Sequence, residues 1–236
     1  MRPHFLRVRR ALIALTGLCF AITPAVLPAT ARSDSQGTPT TTTTTPAPTA
    51  NAARVADVVP TQRRLNVVSG RRAYVSGHLR PGLSGRRVLL QRQSRHGWRT
   101  IARATSRAAG AFRFHYRTHR PGSTRLRIRV SGAGVPAFRE TIGRLNVYRR
   151  VFVSWYGPGL WGGHLGCGGT LQPGTIGVAN KSLPCGTRVT LRYRGRTLRV
   201  RVIDRGPYVG GREYDLTAAT RARLHSPSTG VILATA

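Results

Sequence analysis

The chain has 236 residues and room for one large or two small domains; 39 Lys and Arg against 6 Asp and Glu give it a formal net charge of +33. That balance is almost all arginine, with Lys181 the only lysine, and no helix-turn-helix, zinc-finger or RNA-binding signature accompanies it. Charge alone is a non-specific footprint, so specific nucleic-acid recognition is set aside in favour of anionic polymers met outside the cell.

Residues 1–31 read as a secretory signal. MRPHFLRVRR is a basic leader, Ala11 to Leu27 is mostly apolar, and Ala29-Thr30-Ala31 is a cleavage site of the A-x-A type. The alternative is a membrane anchor, but Pro24 and Pro28 interrupt an apolar run already short for a span. The mature protein is therefore expected to be secreted, acting at the cell wall as a monomer. Residues 32–64 read as a disordered linker, because Thr38 to Thr49 holds only Thr, Pro and Ala and cannot bury a core.

Residues 65–148 alternate in short runs. Leu126, Ile128 and Val130 share one face of RLRIRV, and Phe112 and Phe114 share one face of AFRFHY. Arg86 to Arg92 and Trp98 to Ala104 are two more strands, and Pro81-Gly82, His96-Gly97, Ala109-Gly110 and Pro121-Gly122 are the breaks. The pattern predicts a small antiparallel, immunoglobulin-like sandwich. Its basic faces suit either wall binding or passive spacing.

Residues 151–236 form the last predicted unit. VFVSWYG starts it as a strand, RVTLRYRG and RTLRVRVIDRG make a hairpin around Gly195, Leu216 to Leu224 is a short helix, and Gly230 to Ala236 is a final strand. Strands with one short helix in so few residues predict a small β-barrel, so the whole chain is read as all-β. Once Cys19 leaves with the signal, Cys167 and Cys185 remain as an even pair. In an exported chain such a pair reads as a disulfide. The alternatives are two free thiols or half a metal site, for which His164 is the only close further ligand.

Three of the six carboxylates, Asp204, Glu213 and Asp215, fall within one stretch, IDRGPYVGGREYDLT. In so basic a chain this is the candidate chemical site, since carboxylates carry out acid/base work and hold sugars. Arg205 and Arg212 both follow Asp204 in sequence and would favour its charged form. Asp204 could instead cap its own turn or pair with Arg205, and Asp215 could N-cap the following helix. Glu213 is read as a solvated partner of Arg212. Trp155, Tyr156 and Trp161 could stack on sugars but are assigned to the core.

SWYGPG (154–159), CGGTLQPGTIGVANKSLPCGTRVTLRY (167–193) and VIDRGPYVGGREYDLT (202–217) occur in this order. Together they resemble the rare lipoprotein A-like (RlpA-like) double-psi β-barrel family, related to the first domain of expansins. The resemblance implies a six-stranded barrel and cell-wall peptidoglycan as ligand. It implies lytic transglycosylation of that polymer, with Asp204 as the acid/base. Asp215, at a position where expansin-like proteins carry an Asp, together with Ser154 and Tyr208, would contact the glycan. The chain has Gly169 and Asn180 where catalytic members carry Glu and His. Restoring both would be expected to create or raise activity. The other readings are a non-catalytic, expansin-like wall binder and a structural surface protein held by charge. No metal or organic cofactor is implied.

Overall fold

The computed structural model describes residues 57–132 and 135–236. The expected export signal and most of the expected linker lie outside them. The described residues are mostly strand with one α-helix, arranged around two hydrophobic clusters.

The first cluster is enclosed by β1 (Asp57–Arg64), β2 (Asn66–Val68), β3 (Arg72–Arg80), β4 (Arg87–Ser94), β5 (Gly97–Thr105), β6 (Ala111–Arg117), β7 (Gly122–Gly132) and the first part of β8 (Val135–Tyr156). One sheet has the order β1-β3-β6, and facing it β5-β4-β7-β8 form a second. The alternation in β7, an inner strand of the second sheet, gives it one face toward the cluster. Leu126, Ile128 and Val130 are buried, while the intervening arginines point out. Burial of each such side chain contributes about 1.5–3 kcal/mol.

Three features depart from the expectation. Asp57–Arg64 is a strand instead of the end of the linker. Its segment DVVPTQRR has little strand signal of its own, but it pairs along β3 and buries Val58. The register slips between Pro60 and Gln62, and β1 is an edge strand, where a residue without an N–H is tolerated. Second, the sandwich is not wholly antiparallel, because β2 runs parallel to β8. Third, the strand expected to start at Val151 is the end of β8, which begins at Val135 and crosses between the clusters without a linker. Ile142, Leu145 and Val147 face the first cluster, and Val151 and Val153 the second.

The second cluster lies inside a closed barrel. Its strands are the end of β8, β9 (Val178–Ala179), β10 (Arg188–Tyr193), β11 (Arg196–Asp204), β12 (Tyr214–Thr217) and β13 (Gly230–Ala234). The order β12-β9-β11-β10-β13-β8 closes through pairing of β12 with β8, giving the six strands of the expected double-psi barrel. β10 and β11 form the predicted hairpin across Arg194-Gly195. The helix α1 spans Ala218–Leu224, shorter than predicted, and its cap is Thr217, whose hydroxyl accepts the Thr220 N–H.

Cys167 and Cys185 are joined by a disulfide with Cα atoms 5.5 Å apart. The bridge ties the glycine-rich loop after β8 to the loop before β10. On loop-closure entropy, removing it with Cys167→Ser and Cys185→Ser should lower stability by about 3 kcal/mol, read by urea denaturation. Equal midpoints for the two proteins would show that this loop is already held by its other contacts.

Tyr214 adds a pH dependence. Its ring is fully buried and its hydroxyl donates to the Ala236 carbonyl. Burial, the largest cause, pushes its titration up to about 12; the Glu213 charge adds to this and Arg149 opposes it. The unfolded phenol titrates near pH ~10, so the neutral form stabilises the fold below that pH. That contribution is lost as pH rises from about 10 to 12. The melting temperature should fall across this window, and less steeply in Tyr214→Phe. Identical slopes would rule the residue out as the cause.

Candidate functional site

The short strand β9 brings the site together. Ala179 pairs with Asp204 of β11 on one side and with Asp215 of β12 on the other. Asp215 in turn pairs with Ser154 of β8. Ser154, Asp215, Ala179 and Asp204 thus form one row across four strands. With neighbouring strands about 4.8 Å apart, the two aspartates stand about 10 Å apart across Ala179.

Asp204 ends β11 and is half-buried. Its Oδ1 accepts the Gly166 N–H at 2.7 Å and the Arg205 N–H at 2.8 Å, which orients the carboxylate. The approach of Gly166 requires glycine: a Cβ there would lie 2.8 Å from Arg205 Cγ and 3.1 Å from Asp204 Oδ1. The carboxylate lines a groove of about 350 Å³ together with Tyr156, Trp161, His164 and Leu171. A carboxylate beside exposed aromatic surface suits a sugar, whose hydroxyls bond the acid and whose C–H face packs on the ring.

Asp215 accepts a hydrogen bond from Ser154 Oγ. It does not cap the helix, since Thr217 does so two residues later. Ser154 and Asp215 are therefore brought together, on the same row as Asp204. Tyr208 is not: it is 82% exposed on the turn after β11 and is absent from the lining of the Asp204 groove.

Tyr156 and Trp161, assigned to the core from sequence, line the groove. The signal for Tyr156 was available. It lies two residues after Ser154 and so on the same face of β8, opposite to the core-facing Val153 and Trp155. Its hydroxyl is buried with no hydrogen-bond partner among the described residues. Burial, then the Asp204 carboxylate and then Asp215 push its titration above the ordinary phenol range, so it stays a neutral O–H donor. Trp155 does belong to the core, with the Arg221 guanidinium 4.8 Å from its ring centre. His164 is exposed at the groove edge, where its backbone bridges to Thr170. Among the described residues no group of three or more His, Cys, Asp or Glu side chains could hold a metal ion.

The flanking charges are arranged differently from the expectation. Arg205 does not pair with Asp204. Its guanidinium donates to the carbonyls of Asn180 (3.1 Å) and Leu183 (2.8 Å) and to Cys185 Sγ (2.9 Å), tying the Asp-Arg-Gly-Pro turn to the disulfide loop. Glu213 pairs with Arg149 instead of Arg212, because β8 and β12 lie side by side. Asn180 is buried and structural. Its Nδ2 donates to the Glu213 carbonyl, and its Oδ1 accepts the N–H groups of Ser182 and Leu183. Gly169 is exposed, with φ +83° and open space where a side chain would project.

A family model described as "Lytic transglycolase" matches residues 150–235. The chain is 40% identical over 80 residues to a probable endolytic peptidoglycan transglycosylase RlpA of Synechocystis, covering 33% of this chain and 25% of that protein. It is 37% identical to the endolytic peptidoglycan transglycosylase RlpA of Campylobacter jejuni, over 33% of this chain and 29% of the relative. It is also 37% identical to a probable endolytic peptidoglycan transglycosylase RlpA of Aquifex aeolicus, over 36% and 38%. The chain thus spans well under half the length of these relatives. Among solved structures, the Streptomyces papain inhibitor matches 37% of this chain and 90% of its own, at 24% identity and a TM-score of 0.31. The closed six-stranded topology, the Asp-Arg-Gly-Pro turn and the sequence matches converge on one conclusion: residues 150–235 are similar to the RlpA-like double-psi β-barrel family.

Proposed function

We propose that the barrel binds a peptidoglycan strand along the Asp204 groove and remodels it as a lytic transglycosylase, outside the cell membrane. Asp204 protonates the oxygen that leaves from the bond between N-acetylmuramic acid and N-acetylglucosamine. The C6 hydroxyl of the muramic acid attacks its own C1 and gives its proton to the Asp204 carboxylate, which regenerates the acid and leaves a 1,6-anhydro end. Tyr156, kept neutral, donates a hydrogen bond to the carboxylate or to a sugar oxygen beside it, and Trp161 receives a sugar face. Asp215 and Ser154 hold the strand's polar groups further along the row, and Tyr208 meets the glycan at the rim.

The observation that carries this reading is that Asp204 is the one carboxylate lining the groove, while Asp215 is engaged by Ser154. A hydrolase of the common kind needs two carboxylates flanking the scissile bond at a set separation, whereas internal attack needs one group that gives and takes a proton. The relatives' names agree with this chemistry. Mass spectrometry of soluble products from purified peptidoglycan tests it: anhydro-muropeptides support the reading, and reducing-end muropeptides overturn it.

A second reading, an expansin-like wall binder without catalysis, is favoured by Asn180. The residue at the position expected to hold a catalytic His is buried and tied to its own loop and to the Glu213 carbonyl. Retained wall binding in high salt with no soluble product is the outcome that selects it.

A further inference from the structure

We infer that Arg125, Arg144, Arg188, Arg199 and Arg201 form one binding surface, at the seam of sandwich and barrel, for a linear wall polymer joined by phosphodiesters. Arg125 stands directly opposite Arg144 in the β7–β8 ladder, and Arg188 directly opposite Arg201 in the β10–β11 ladder. Arg199 lies two residues from Arg201 on the same face, opposite Thr190. The two ladders belong to one continuous sheet, in the order β11-β10-β13-β8-β7.

Like charges placed opposite one another destabilise a sheet. Here the repulsion extends from one ladder to the other. Arg144 is held below the usual guanidinium range by burial first, then by the charges of Arg199, Arg125 and Arg188. Arg199 is lowered by burial, then by Arg188, Arg125 and Arg201. Within the described residues the one ion pair is Arg149 with Glu213, so no carboxylate among them neutralises the cluster. A ligand that supplies closely spaced full negative charges removes this repulsion. The planar fork of a guanidinium matches phosphate oxygens in pairs.

The solvent-accessible positions on the arginine-bearing face of the hairpin, Arg188 and Arg192 on β10 and Thr197, Arg199 and Arg201 on β11, include no aromatic side chain. Single-stranded nucleic acid is held by stacking bases on aromatics as well as by charge, so this face favours a polymer without bases. The choice of a wall polymer rests on the peptidoglycan reading of the barrel; the affinity for phosphodiesters does not.

The test is binding of the full chain to labelled poly(glycerol phosphate), and to single-stranded DNA with the same number of phosphates, over a range of NaCl concentrations. Arg144→Ser with Arg199→Ser should weaken binding of the phosphate polymer by at least about ten-fold and make the salt slope shallower by about 1.4 log units for two lost contacts. The control is Arg72→Ser with Arg117→Ser, an opposed pair in the β3–β6 ladder, which should lose less than about three-fold if the seam is the site. Should the half-buried Arg144→Ser lower the melting temperature, the exposed pair Arg188→Ser with Arg201→Ser carries the same test. Equal losses from control and seam variants would overturn the proposal in favour of diffuse charge. DNA bound as tightly as the phosphate polymer would overturn it in favour of a nucleic-acid surface. Asp204→Asn should bind the polymer like the wild type, so failure of the transglycosylase reading and failure of this one are separable.

Discussion

Asp204→Asn should reduce release of 1,6-anhydro-muropeptides from purified peptidoglycan by about 10²–10⁴-fold, the usual contribution of a positioned acid/base. The substitution is chosen because it is nearly isosteric. An Asn Oδ1 can still accept the Gly166 and Arg205 N–H groups, so the turn after β11 keeps its anchors and the melting temperature should change little. What is lost is the ability to give and take a proton. Product analysis by mass spectrometry, run beside wall pelleting, separates the readings. A variant that releases product at the wild-type rate eliminates Asp204 as the acid/base. Binding by both proteins without product from either leaves Asp204 as a sugar contact.

The second large effect concerns position 180. From the family pattern alone, Asn180→His together with Gly169→Glu restores a missing pair of catalytic helpers. The structure reverses that expectation. Asn180 uses both ends of its amide in a buried site: one donor to the Glu213 carbonyl and one acceptor for two consecutive N–H groups. An imidazole cannot reproduce that pattern, and the partly buried N–H and C=O groups left behind would lose their partner. We expect Asn180→His to lower stability by about 1–3 kcal/mol. Gly169→Glu adds about 1 kcal/mol, because φ is +83° there and a side chain is strained in that region. The double variant should therefore unfold at lower denaturant concentration and gain no activity. Wild-type stability accompanied by faster product release would mean that residue 180 can turn toward the groove, and would overturn this account.

Much of the fold was legible because it is encoded locally. Strict alternation in RLRIRV fixes which face of β7 is buried, whatever the strand pairs with. Arg194-Gly195 between two alternating runs specifies a hairpin without reference to the rest of the chain. The Cys167–Cys185 pair and the carboxylate-bearing Asp-Arg-Gly-Pro turn were visible for the same reason: composition makes each exceptional in this chain. Asp204 and Asp215 could be singled out from the carboxylate cluster, and Ser154 through the family resemblance alone.

What could not be read is what depends on partners distant in sequence. Asp57–Arg64 looks like linker until β3 supplies its hydrogen bonds, and β2 has no strand signal apart from β8. Arg205 seemed destined for Asp204 by adjacency, yet its guanidinium reaches carbonyls more than twenty residues away. Glu213 finds Arg149 across the β8–β12 pairing instead of its neighbour Arg212. Tyr156 and Trp161 read as ordinary core aromatics because apolar character in sequence does not say which side of a wall a ring will occupy. Above all, residues 154, 179, 204 and 215 meet in one row only because a two-residue strand is threaded between β11 and β12. The sequence by itself determined which residue types could do chemistry and which strands have a buried face, because both follow from side-chain chemistry and a two-residue period. The tertiary structure alone decided which carboxylate lines a groove and which is tied to a hydroxyl, because barrel closure sets those neighbours and no local pattern encodes it.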